Sequence, residues 1–131
     1  MSGQFWLGFL AYLIPLFPLA YFWHLRTFKP AYDALEIFRP DPVVPMGLAS
    51  MAIQALFFSW VFPKLFANGS WLLNGLQFAA VFGALGWSFM VLPVAAKYRM
   101  TSVSRFIALE TAFTAVQFVV TGLLLAFVYR A

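Results

Sequence analysis

Charged side chains are nearly absent from four long stretches of this chain, residues 5–23, 43–62, 71–96 and 106–129, in which Glu110 is the single charged residue. A hydrocarbon core about 30 Å thick is crossed by roughly 20 helical residues at 1.5 Å each. Inside it every backbone N–H and C=O needs a protein partner, which leaves helices or a closed barrel. No stretch alternates with a period of two, so a barrel is excluded and four helices are expected. Composition agrees: 64% of the 131 residues are apolar and 9% are charged, against about 25% charged in a soluble domain. Too little polar surface remains to cover a water-soluble globule. That excludes a soluble enzyme, a nucleic-acid-binding domain and a disordered segment. The expected fold is all-α integral membrane, a four-helix transmembrane bundle in one domain over residues 1–131.

The net charge of +4 comes from eight basic residues that flank the apolar runs, as membrane anchors do. Nucleic acid is therefore not expected as a partner; the bilayer is. Arg26, Lys29, Arg39, Lys97, Arg99 and Arg105 fall on the side of the first and third connections, against Lys64 and Arg130 on the other. The positive-inside rule then places residues 24–42 and 97–105 in the cytoplasm and both termini outside, in a cell inner membrane. The N-terminus does not read as a cleaved signal peptide, since residues 1–4 hold no basic side chain and no small-x-small site follows. Absence of cysteine excludes disulfides and thiolate metal sites.

The connections differ in kind. Residues 66–70 form a short Asn68-Gly69 turn, which predicts that the second and third helices are antiparallel neighbours; its glycosylation sequon reads as a plain turn. Thr101, Ser102 and Ser104 offer N-caps to the fourth helix. Residues 30–38 place Ala31, Leu35 and Phe38 on one helical face and Asp33 and Glu36 on another, which predicts a short amphipathic helix in the interface. Pro15 predicts a kink in the first helix.

Polar residues within the spans are the functional leads. Glu110, Thr114, Gln117 and Thr121 fall within about 60° of one another on the fourth helix. The second helix carries Gly47, Ser50 and Gln54. The third carries Asn74, Gln77 and Ser88 on one side and Ala79, Gly83 and Gly86 on the other, which predicts a central place in the bundle. Such residues either bind helices together, at about 0.6–2 kcal/mol per hydrogen bond, or line a polar cavity. Glu110 has the same two readings, a working carboxylate or a partner for a loop cation such as Arg105. His24 is the sole histidine. It excludes bis-histidine haem and leaves a single axial ligand to haem or a chlorin magnesium, beside the plainer reading of an interfacial ring. The 17 phenylalanines suit either a lipid, quinone or carotenoid cradle or ordinary lipid-facing bulk. No metal cluster, phosphate loop or nucleophile with an orienting base is legible, so no catalytic residue is assigned.

In layout the chain resembles small bacterial four-helix membrane families of unassigned activity. The likeness rests on residues 21–45, a proline-bearing amphipathic link, and residues 75–129, a Gly/Ala-rich span running through a short basic loop into the last. It implies the four-helix fold and brings no activity, cofactor or site residue. The small transporters with a first-span carboxylate, the thiol-oxidising quinone reductases and the glutathione-handling four-helix enzymes do not match. The expected role is an accessory subunit or oligomeric component of a membrane complex, partnered by another membrane subunit or by itself. The alternative is a small transporter or a lipid-, quinone- or pigment-binding protein with a cavity around Gln54, Gln117 and Glu110.

Overall fold

A computed structural model describes residues 2–130. Among them the regular structure is helical: α1 (Gly3–Phe22), a π-helical turn (Trp23–Thr27), α2 (Lys29–Leu35), α3 (Val44–Leu65), α4 (Trp71–Met90), α5 (Leu92–Lys97) and α6 (Val103–Val128). Four helical stretches, Gly3–Thr27, Val44–Leu65, Trp71–Lys97 and Val103–Val128, are long and apolar enough to cross a membrane.

Local chemistry explains where most of these helices start and stop. Ser2, Ser70 and Ser102 cap α1, α4 and α6, each side chain accepting a backbone N–H three residues on, at 3.2 Å; this satisfies one of the orphan donors of a first turn. Helix α1 continues through Pro15 and Pro18. Its departure from α geometry comes later, at the π turn, where the Phe28 N–H reaches the Trp23 carbonyl five residues back at 3.1 Å. The third apolar run is divided at Val91, because Pro93 cannot donate and is suited to the opening turn of a new helix, α5. Helix α2 is shorter than the expected 30–38. It ends at Glu36, whose left-handed backbone (φ 62°) closes the last turn. Its buried face is Tyr32 and Leu35, while Phe38 lies beyond it and is exposed.

Packing order differs from the expectation in one respect. Helix α6 is the centre, lying against both α4 and α1, and α3 lies on the other flank of α1. It buries 44% of its most apolar stretch, against 17% for the stretch containing α4. Helix α4 is therefore peripheral, and its small residues face α6. Gly75 and Gly122 let those two backbones touch: a Cβ on Gly122 would sit 2.7 Å from the Gly75 carbonyl oxygen, and one on Gly75 2.9 Å from that of Gly122. Phe118 fills the space over Gly83 and Gly86. Helices α3 and α4 meet through aromatic rings, Phe58 on Phe78 at 5.1 Å and Phe57 on Phe82 at 6.3 Å. One core runs through the bundle around Tyr12, Phe58, Phe62, Phe78 and Phe118. A second, at the end holding residues 24–43, joins Tyr32 and Leu35 to Val91 and Phe106.

Candidate functional site

The end of the bundle that carries α2 gathers the polar chemistry. Its basis is backbone geometry: the π turn widens the end of α1 where Trp23 and His24 sit, and such turns are frequent at functional sites. The His24 ring lies between Phe113 and Tyr32, with centroids 4.6 and 4.7 Å away. Its Nδ1 lies 3.0 Å from the Ala20 carbonyl oxygen, and its Nε2 3.0 Å from Glu110 Oε1. The Tyr32 hydroxyl donates to the same Oε1 at 2.6 Å and accepts from Trp23 Nε1 at 2.9 Å. Two side chains, His24 and Tyr32, thus converge on one carboxylate oxygen, and Trp23 joins them through the Tyr32 hydroxyl.

The geometry fixes how many protons the pair holds. A carbonyl only accepts, so Nδ1 carries a hydrogen and points it at Ala20. One proton then remains between Nε2 and Oε1, either on nitrogen, as an imidazolium–carboxylate pair, or on oxygen, as a neutral pair. In both states Oε1 still accepts from Tyr32. The side chains of His24 and Glu110 are 26% and 13% exposed, so the pair is largely withdrawn from water. Burial first, and then the adjoining Glu110 carboxylate, push the Tyr32 hydroxyl well above the ordinary tyrosine range; Tyr32 is a fixed donor.

His24 and Tyr32 also line a cleft of about 280 Å³ between α1, α2, the link to α3 and the first turns of α3. Phe17, Ala20, Leu25, Leu48 and Met51 make its walls apolar, and Lys29, Asp33 and Arg39 stand on it as charged groups. Lys29 Nζ donates to Asp33 at 2.6 Å, and Arg39 Nε lies 3.5 Å from Asp41.

A second polar group sits mid-bundle. Gln117 Nε2 donates to the Tyr12 hydroxyl at 3.0 Å, which donates to Gln54 Oε1 at 2.7 Å. Gln54 Nε2 in turn donates to Ser50 Oγ at 3.0 Å. This ties α6, α1 and α3 together through one phenol. Gln54 and Gln117 are thus joined through Tyr12, while Glu110 belongs to the other cluster, so the single cavity expected around all three is two separate groups.

The remaining candidates fall elsewhere. Thr114 and Thr121 are buried on α6, but their hydroxyls donate to the carbonyls four residues back, Glu110 and Gln117, both at 2.7 Å. They satisfy their own helix rather than a neighbour. Gln77 and Ser88 are exposed, and Ser88 donates to Leu85 of its own helix at 2.8 Å; neither faces the bundle interior, because that side of α4 points away from α6. Ser50 is exposed as well. Asn74 is buried and exchanges two 3.1 Å hydrogen bonds with the Gly69 backbone, fastening the 66–70 turn. Both nitrogens of His24 are engaged, so an axial bond to haem or magnesium would require Nε2 to leave Glu110. Among the described residues no group of three or more His, Asp or Glu could hold a metal ion. Glu110 pairs with His24 and Tyr32 rather than with Arg105. Sequence reasoning passed over Tyr12, Trp23 and Tyr32, although Tyr12 is the one tyrosine in mid-span, level with Gln54 and Gln117. Compared with protein-family models, curated proteins and solved structures, the chain matches none of them.

Proposed function

We propose that this chain is a multi-pass inner-membrane protein, with both termini outside, that binds the apolar body of a lipid-like ligand in the cleft beside His24. The observation that carries the reading is the cleft itself, apolar on its walls, with His24, paired to Glu110, among its lining residues. Ionisable groups at membrane depth are costly and mark ligand or proton sites by default. The six basic residues of the 24–42 and 97–105 segments support a cytoplasmic placement of this end, with α2 at the interface. Native mass spectrometry after mild extraction tests the binding: the expected species is the chain with one lipid-sized adduct, and a bare chain across several gentle detergents overturns it. The chain holds no cysteine, so Asn68→Cys and Ser102→Cys report topology. An impermeant reagent on intact cells labels the first and spares the second; the reverse pattern overturns the orientation.

A second reading, an accessory or oligomeric subunit, is favoured by one feature of α3. The Ser50 hydroxyl, which accepts from Gln54, lies on its exposed face, and a polar group facing hydrocarbon is relieved by a partner helix. The small face of α4 gives this reading no support, since Gly83 is buried against Phe118. The same spectra discriminate the two, because a partner or a second copy appears at its own mass.

A further inference from the structure

We propose that the cleft seats one acyl chain of an inner-leaflet phospholipid, with the phosphodiester held by Arg39 and Lys29; this rests on the ligand-binding reading above and names the ligand's chemistry. Size points to a chain. At about 280 Å³ the cleft lies just under the roughly 300–1,000 Å³ of sites that enclose a drug-sized ligand. It takes part of one flexible chain, and the rest of the lipid stays in the bilayer.

Charge points to a phosphate at the mouth. Helix α3 opens on Val43 with its first donors already engaged, the Val44 and Met46 N–H groups bonding to the Pro42 and Val43 carbonyls at 3.1 Å and Pro45 having none, so a phosphate contact falls to the side chains at the mouth. Val43, Val44 and Gly47 of that opening line the cleft, together with Lys29 and Arg39. Arg39 meets Asp41 through Nε at 3.5 Å, while a guanidinium carries four further N–H donors on its Nη atoms, in a fork that matches phosphate oxygens. Lys29, although held by Asp33, is half exposed and can turn to a head group. Asp33 then faces any ammonium the head carries. Lys29 and Arg39 each also meet an aspartate, so recognition at the mouth rests on the N–H donors these pairs leave over rather than on net positive charge.

Gly47 supplies the variant that separates the two halves of the proposal. A Cβ built there meets nothing within 4 Å, so Gly47→Leu fills the cleft without straining the fold. Wild type, Gly47→Leu and the double variant Lys29→Ala/Arg39→Ala are incubated in detergent with dioleoyl phosphatidylglycerol, dioleoyl phosphatidylethanolamine or dioleoylglycerol. The three lipids share their chains and differ in head; retained lipid is read by native mass spectrometry. Wild type is expected to retain both phospholipids about tenfold better than dioleoylglycerol. The double variant loses that preference, and Gly47→Leu loses all three lipids. Equal retention of dioleoylglycerol by wild type overturns the head-group assignment and leaves the cleft reading standing. Retention of the phosphatidylglycerol alone also overturns it, since net charge rather than phosphate is then recognised. Unchanged retention by Gly47→Leu overturns the cleft reading itself.

Discussion

Breaking the His24–Glu110 pair offers the most direct test of the site. Glu110→Leu removes an acceptor that takes Tyr32 at 2.6 Å and His24 at 3.0 Å, both shielded from water. Hydrogen bonds to a charged group contribute about 1.5–3 kcal/mol each, and stranding one partner of a buried pair costs about 3–5 kcal/mol. The single variant is therefore expected to lose roughly 3–5 kcal/mol, less what the leucine regains by packing on Phe113. His24→Phe keeps the ring contacts with Phe113 and Tyr32 and leaves Glu110 with the tyrosine, at a cost of about 2–3 kcal/mol. If the two residues act as one unit, the double variant loses less than the sum, with a coupling energy of about 1.5–3 kcal/mol. The assay is reversible unfolding in mixed dodecylmaltoside and dodecyl sulfate micelles, followed by tryptophan fluorescence, to which Trp23 contributes from within the cluster. A coupling energy below about 0.5 kcal/mol, the range of solvent-exposed pairs, would falsify the argument that this pair is withdrawn from water.

The mid-bundle network predicts a rank order: Tyr12→Phe strands two amides and is expected to cost about 1–3 kcal/mol, while Thr121→Val removes only a bond within its own helix and costs under about 1 kcal/mol. The same micelle titration checks it, and equal losses would refute the distinction. Gly122→Ala drives a Cβ towards the Gly75 carbonyl and is expected to destabilise by about 1–3 kcal/mol, whereas Gly47→Ala meets open space and is neutral or stabilising by up to about 1 kcal/mol; thermal unfolding of the two variants reads the contrast. Tyr32 sets an alkaline limit. Its folded value is raised above the ordinary 10, so its contribution is complete below about pH 10 and is lost as pH rises beyond that. Stability measured from pH 8 to 11 is expected to fall at the top of this range in wild type, with a shallower fall in Tyr32→Phe; parallel curves would count against it.

The helices themselves were legible because their causes are local. An apolar run near bilayer length and a serine before it act within a few residues of where they stand, and Ser102, expected as a cap for the fourth helix, marks a real boundary; Ser2 and Ser70 cap α1 and α4 by the same local chemistry, and Pro93 divides a run expected to be continuous. The 3.6-residue period likewise placed Thr114, Gln117 and Thr121 together, and they share the buried side of α6. What the period does not contain is the partner. His24 and Glu110 are 86 residues apart and Tyr12 and Gln117 are 105 apart, so their meeting depends on how far each helix slides and rotates against the others. That register is decided by side-chain volume at the contacts: Gly75 and Gly122 draw α4 onto α6, Phe118 fills the gap over Gly83, and phenylalanine rings hold α3 and α4 apart. This is why α6 and not α4 became the centre of the bundle, and why Gln77 and Ser88 face outward. Sequence alone determined the elements and the sides they present, since backbone satisfaction and hydrophobic length are properties of one segment. Only tertiary packing decided which polar groups meet, since close approach of two helices is a property of both.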